Sequence, residues 1–138
     1  LKHKPVFCPT VADFYSGMEV TIPLFTDSIR GSMKDIEEIY SELYKGPVVK
    51  FIKNGDENGF LSAGAYSGMD SMEISVYGNE ERIILTARYD NLGKGASGAA
   101  IECMNLVIGA DSFLIFVFEY VCIHVLCFVC IFLIYIKI

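Results

Sequence analysis

The segment Asp90-Asn91-Leu92-Gly93-Lys94-Gly95-Ala96-Ser97-Gly98-Ala99-Ala100 holds the residue types most able to do chemistry. Its glycines let a backbone approach a ligand closely. Ala99, Ala100, Cys103, Met104 and Val107 recur at helical spacing, so the run leads into a helix that offers free N–H groups to an anion, with Lys94 adding a positive charge. The chemistry would be phosphate or anion binding. The segment is not a P-loop, because the Gly-x4-Gly-Lys-Ser/Thr spacing is absent. Gly93-x-Gly95-x-x-Gly98 does match a dinucleotide spacing, but that fingerprint needs a βαβ unit and an acidic residue about 20 positions on. Here the helix is followed by an apolar tail, so the unit cannot close. The plain structural use of the run is a tight strand-to-helix turn packed on a sheet.

Cysteine and histidine offer less. The five cysteines are Cys8, Cys103, Cys122, Cys127 and Cys130, an odd count with three inside the apolar tail, which is no secreted disulfide framework. Reduced thiols are expected at Cys8 and Cys103. Cys122, Cys127, Cys130 and His124 have the residue types of a metal cluster, but zinc sites want polar surroundings and outer partners, so no metal is expected. His3, between Lys2 and Lys4, reads as a surface histidine.

The elements that must position these residues follow from periodicity. Val6–Pro9 reads as a short extended piece stopped by Pro9, and Asp13–Gly17 as a loop. Met18, Val20, Ile22 and Leu24 alternate with polar residues and Pro23, which predicts a half-buried strand near a sheet edge. Ser32 caps a helix in which Ile36, Ile39, Tyr40, Leu43 and Tyr44 form the apolar face, with Gly46-Pro47 as its stop. Val48–Ile52 is a second strand, and Leu61–Tyr66 reads as extended. Residues 71–77 and 82–88 form a hairpin with a four-residue connection. The glycine-rich run and a final helix ending at Gly109 complete the order. Strands follow one another without crossover helices, so the fold class is α+β: a mixed, largely antiparallel sheet with helices on one face. No internal repeat is found.

Size and charge bound the function. A chain of 138 residues is one ordinary domain, too short for a nucleotide domain plus a substrate domain. The net charge of −6 argues against nucleic acid as a partner. Glu119 and Lys137 are the sole Asp, Glu, Lys or Arg residues after position 111, so that net charge belongs to residues 1–111. The mean hydropathy of +0.44 comes from the tail, where only Glu119 and His124 interrupt the apolar run from Phe113 to Ile136. We expect residues 1–111 to be one domain and 112–138 a separate tail. As a helix the run would span about 36 Å, enough for a bilayer core, with Lys137 at its end. Its lack of Gly, Ala, Ser and Thr also fits an out-of-frame or intronic translation. The chain starts at Leu1 rather than Met, which suggests a processed product or a piece of a longer protein.

Asp90-Asn91-Leu92-Gly93-Lys94-Gly95-Ala96-Ser97-Gly98-Ala99-Ala100, with Cys103-Met104-Asn105-Leu106 and Gly109, closely resembles the C-terminal signature of the N-acetyl-gamma-glutamyl-phosphate reductase family. Phe7-Cys8-Pro9 and Asp13 to Met18 resemble that family's lead into its central sheet. The resemblance covers roughly residues 5–111. It implies the fold of the C-terminal substrate and dimerisation domain of glyceraldehyde-phosphate-dehydrogenase-like reductases. It also implies an NADP-dependent, cytoplasmic enzyme of arginine biosynthesis that reduces N-acetyl-glutamyl phosphate to the semialdehyde. In that family a cysteine thiolate attacks the acyl phosphate, a histidine serves as acid and base, and the nicotinamide supplies hydride.

The catalytic cysteine and histidine of the family have no counterpart here. Cys8 lacks the preceding glycine of the nucleophile motif and His3 lies too near the first strand, so no catalytic residue is assigned. The resemblance implies that Asn91, Lys94 and Gly95 contribute to the NADP site and that Tyr15, Ser16 and Gly17 line the substrate side. Ser16 stands where many members carry Arg. The complete enzyme would be a homo-oligomer acting on a small-molecule substrate, and this chain alone would be inactive. Two other readings differ in class: a membrane-anchored, non-catalytic α+β binding or assembly module using 113–136 as its anchor, and a regulator that pairs with a full-length reductase.

Overall fold

The computed structural model describes residues 6–110. The tail 112–138 and His3 lie outside the described residues, as do Cys122, Cys127, Cys130 and His124. Among the described residues, no helix is long and apolar enough to cross a membrane, and no group of His, Cys, Asp and Glu could hold a metal ion.

Four strands and two helices form an α+β domain. In chain order they are β1 (Met18–Phe25), α1 (Met33–Leu43), β2 (Val49–Phe51), β3 (Met72–Gly78), β4 (Arg82–Tyr89) and α2 (Gly98–Ile108). A single turn of π-helix, Gly93–Ser97, leads into α2. The sheet order is β1-β4-β3-β2. β4 is antiparallel to both neighbours, and β2 runs parallel to β3. β1 is therefore an edge strand, where the missing N–H of Pro23 is tolerated.

Alternation sorts the side chains into two faces with different chemistry. Register row by row, the front face holds Val20–Ala87–Ile74–Phe51 and Ile22–Leu85–Val76. Ile36 and Tyr40 of α1 join these residues in one buried cluster, with Tyr40 edge-on to Phe51 at 6.0 Å between ring centres. The back face is polar at one end. Glu19–Arg88–Glu73–Lys50 form one row and Thr21–Thr86–Ser75 the next. The segment 53–69 lies over the charged end of this face, and Arg88 holds it there.

α1 forms for the reasons the sequence gives. Ser32 accepts from the Asp35 N–H, and the Asp35 carboxylate accepts from the Ser32 N–H at 2.6 Å, a reciprocal capping box. The Ser32 N–H and the Ser32 hydroxyl both donate to the Asp35 carboxylate and hold it below its usual range. The helix stops at Leu43, ahead of Gly46-Pro47.

Several expectations are corrected. Leu61–Tyr66 is not extended. It enters a chain of tight turns, closed by Ala65 N–H to Ser62 O and Ser67 N–H to Gly64 O. Val6–Pro9 joins no strand. The hairpin turns one residue later than expected: Gly78 pairs with Ile83, four residues connect them, and the Asn79 side-chain oxygen accepts from the N–H groups of Glu81 and Arg82. Ile39 and Leu43 are exposed, since the buried stripe of α1 follows Ile36 and Tyr40. The helices do not share one role: α1 covers the sheet, whereas no α2 residue belongs to the main core cluster. Ala99 and Ala100 are buried, but Met104 and Val107, expected on the apolar face, are exposed, Val107 at 86%.

Candidate functional site

Three segments distant in sequence meet at one end of the sheet: the loop 13–17 before β1, the turns 62–70, and the stretch 90–98 between β4 and α2. Asp90 organises the meeting. It is 3% exposed, and its Oδ1 accepts from the N–H groups of Leu92 and Gly93 at 2.7 Å each. Its Oδ2 accepts from the Gly68 N–H. Burial acts to raise the Asp90 carboxyl, but these hydrogen bonds, with one from Ser16, outweigh burial and hold it below the ordinary carboxylate range.

Asn91 and Ser16 complete the junction. The Asn91 side-chain oxygen accepts from the Gly17 N–H at 2.9 Å. Because the backbone N–H can only donate, this bond also fixes which end of the amide is which. The Ser16 and Ser67 hydroxyls hydrogen-bond to each other. Gly17 has φ +114°, and a Cβ there would sit 2.5 Å from the Ala63 carbonyl oxygen, so only glycine fits the passage.

The glycine-rich run is filled by the chain's own atoms. A Cβ on Gly95 would lie 2.9 Å from the Tyr89 ring. A Cβ on Gly98 or Gly93 would lie 2.7 or 3.0 Å from an Asp70 carboxylate oxygen. The N–H groups expected to be free for an anion are also engaged: those of Leu92 and Gly93 by the Asp90 side chain, and that of Gly95 by the Asp90 carbonyl. Asp70 is pushed up by burial and by the charge of Asp90, with Lys94 opposing. Lys94 is not a solvated loop charge; it is buried and its ammonium donates to Glu102 of α2.

Of the residues singled out from sequence, Asn91, Ser16 and Gly17 are thus brought together. Gly95 lies beneath Tyr89, Lys94 turns to Glu102, and Tyr15 is 91% exposed with its side chain outside the junction. Cys8 is an exposed free thiol and Cys103 a half-buried one.

Sequence reasoning assigned no role to the buried charges behind the junction. Arg88 is 2% exposed and donates to Glu73, Glu57 and the carbonyls of Gly55 and Ser62. Burial works to lower its guanidinium, but Glu73 and Glu57 outweigh burial and raise it. Tyr66 donates to the other Glu73 oxygen at 2.8 Å. Burial first, and then Glu73, push its phenol up to about 12. An Arg and a Glu at back-face positions of adjacent strands are the available sequence signal.

Comparisons with known proteins agree with this architecture. The family described as "semialdehyde dehydrogenase, dimerisation domain" matches residues 1–91. The N-acetyl-gamma-glutamyl-phosphate reductases of Brucella ovis, Brucella canis and Brucella suis are each 37% identical to the chain over 116 residues. Each match covers 79% of this chain and 37% of the relative, so the chain spans a little over a third of the length of these proteins. With the α+β sheet in place and the family match covering residues 1–91, about two thirds of the sequence, the chain belongs to the semialdehyde dehydrogenase dimerisation-domain family.

Proposed function

We propose that residues 1–111 are the substrate and dimerisation part of an NADP-dependent N-acetyl-gamma-glutamyl-phosphate reductase. The complete enzyme would reduce N-acetyl-glutamyl phosphate to N-acetyl-glutamate semialdehyde in arginine biosynthesis. The observation that carries this reading is the 37% identity to reductases so named, extending over 79% of the chain. Because the match covers 37% of those relatives, the reading makes this chain inactive alone.

The junction supports a positioning role for the domain. Asn91 offers its oxygen to Gly17, and its amide N–H2 has no hydrogen-bond partner among the described residues. That donor suits a carboxamide carbonyl such as that of nicotinamide, whose hydride is the chemistry NADPH supplies when bound. Lys94 does not fit as a phosphate ligand, because Glu102 already matches its charge. Lys94 and Gly95 instead shape the wall beside Asn91. On the substrate side, Ser16 and Gly17 are fixed by Ser67 and Asn91, while Tyr15 projects freely.

Sequencing the locus and its transcript upstream of Leu1 tests the reading. The expected result is an open frame that continues into a nucleotide-binding domain bearing a Gly-Cys nucleophile motif. A transcript that begins near Leu1, with the tail in frame, overturns it. Purified chain is expected to show no phosphate-dependent reduction of NADP by the semialdehyde.

A further inference from the structure

The segment that Arg88 holds over the sheet contains two Asn-Gly pairs, Asn54-Gly55 and Asn58-Gly59. Glycine has no Cβ to shield its nitrogen, so Asn-Gly is the dipeptide in which that nitrogen most readily reaches the preceding side-chain amide. Both asparagines are exposed, and both have a left-handed backbone, with φ +57° at Asn54 and +55° at Asn58. Their surroundings differ. Asn58 and Gly59 form the tip of a small hairpin in which Glu57 and Phe60 exchange N–H to carbonyl bonds at 2.7 and 3.2 Å. The Gly59 N–H also donates to the Asp56 carboxylate at 2.8 Å. At the other pair, the Gly55 carbonyl accepts from the Arg88 guanidinium at 2.6 Å. The Gly55 N–H and the Asn54 side chain make no hydrogen bond of good geometry among the described residues.

We propose that Asn54 is a site of spontaneous deamidation in the folded chain, and that Asn58 in the next turn is protected from it. The Gly55 nitrogen forms a bond to the Asn54 Cγ. The bond from that carbon to the side-chain nitrogen breaks, and ammonia leaves with the proton that the Gly55 nitrogen gave up. Water then opens the succinimide at one of its two ring C–N bonds. One opening gives aspartate. The other gives isoaspartate, in which the main chain runs through the former side chain. Nothing is oxidised or reduced.

The difference between the pairs lies at the attacking nitrogen. Ring closure at Asn58 must first break the bond from the Gly59 N–H to Asp56, and it removes a proton from a nitrogen that faces a carboxylate. The hairpin bonds on either side resist the backbone rotation that closure needs. At Gly55 the anchor is on the carbonyl, and the nitrogen is open. The fold also retains both residues of the labile pair. A left-handed φ at position 54 suits asparagine better than most residues with a Cβ. A Cβ at Gly55 would lie 2.5 Å from a Glu73 carboxylate oxygen. Aspartate at 54 adds one negative charge to a net −6. Isoaspartate lengthens the main chain just before the Gly55 carbonyl, which draws that carbonyl off Arg88 and loosens the cover.

Incubation of the full chain at mildly alkaline pH, folded and in urea, tests the proposal. Fragment-ion mass spectrometry locates each replacement of a side-chain NH2 by OH. In the folded chain Asn54 is expected to convert about tenfold faster than Asn58, the factor set by one hydrogen bond to a charged group. In urea the two should convert at similar rates. Asp56→Ala, with far-UV circular dichroism as the check on folding, frees the Gly59 N–H and should bring the rate at Asn58 toward that at Asn54. A folded chain in which Asn58 converts as fast as Asn54, or in which Asn54 stays intact while it converts in urea, overturns the proposal. So does a folded Asp56→Ala chain in which Asn58 is no faster than in the parent. The folded and urea rates of the parent decide the matter even where Asp56→Ala fails to fold. The reductase reading stands or falls separately, on the upstream frame.

Discussion

Asn91 and Gly17 are 74 positions apart in sequence and joined by one hydrogen bond, from the Gly17 N–H to the Asn91 side-chain oxygen at 2.9 Å. The bond ties the loop before the edge strand to the loop after the central one. Asn91→Ala leaves the Gly17 N–H without its partner, and a loss of about 1–3 kcal/mol in urea unfolding is expected. Asn91→Asp keeps an acceptor in place and should lose less. Equal losses from the two variants would mean that the bond contributes nothing beyond the volume of the side chain.

Asp90 makes the same junction sensitive to acid. Its carboxyl is held below the ordinary range in the folded chain, so the stability it contributes is present above the unfolded carboxylate pKa of about 3.9 and is lost as pH falls through the lower folded value. Asp90→Asn keeps one acceptor but turns N–H2 toward a backbone donor. We expect a destabilised chain whose stability varies less with pH below about pH 4 than that of the parent. An unchanged acid limb in urea titrations would remove Asp90 from the account.

The sequence predicted the elements whose signals are local. Ser32 and Asp35 announce α1, period-two alternation announces β1 and the hairpin, and Gly109 marks the end of α2. What it could not supply was contact across distance. The glycines of 93–98 read equally well as a cradle for a ligand and as room for the chain itself. Only the approach of Asp70 and Tyr89 decides between them at the glycines. Leu61–Tyr66 reads as extended from sequence, whereas in the fold Ser62 and Gly64 close turns that deliver Ser67 and Gly68 to Ser16 and Asp90. The exposed end of α2 shows the limit of apolar periodicity, which says that a face is to be covered but not by what.

Arg88 and Glu73 are register partners, 2% and 4% exposed, and each holds more than the other. Removing one leaves a buried charge uncompensated, so Arg88→Met or Glu73→Ala should each lose about 3–5 kcal/mol. The double variant Arg88→Met/Glu73→Ala should lose clearly less than the sum of the two. Arg88→Lys should not restore the loss, because an ammonium cannot reach Glu57, Glu73 and two carbonyls as a planar fork does. Additive losses in the double-mutant cycle would show that the pair acts only by filling space.

Gly95 and Gly17 separate two reasons for requiring glycine. At Gly95 no left-handed backbone is needed; the obstacle is room, since a Cβ would meet the Tyr89 ring at 2.9 Å and the Asp90 carbonyl at 3.1 Å. A ring edge can shift, so Gly95→Ala should cost about 1–3 kcal/mol and be relieved in part by Tyr89→Leu. At Gly17 the φ of +114° and the Ala63 carbonyl oxygen, 2.5 Å from a Cβ, act together, and backbone cannot move aside as a side chain does. Gly17→Ala should therefore cost more than Gly95→Ala, and no smaller side chain among its neighbours should rescue it. Thermal unfolding of the two single variants and of Gly95→Ala/Tyr89→Leu decides the matter. If Gly95→Ala proves the costlier, or if Tyr89→Leu gives it no relief, the glycine run is held by something other than the contacts described.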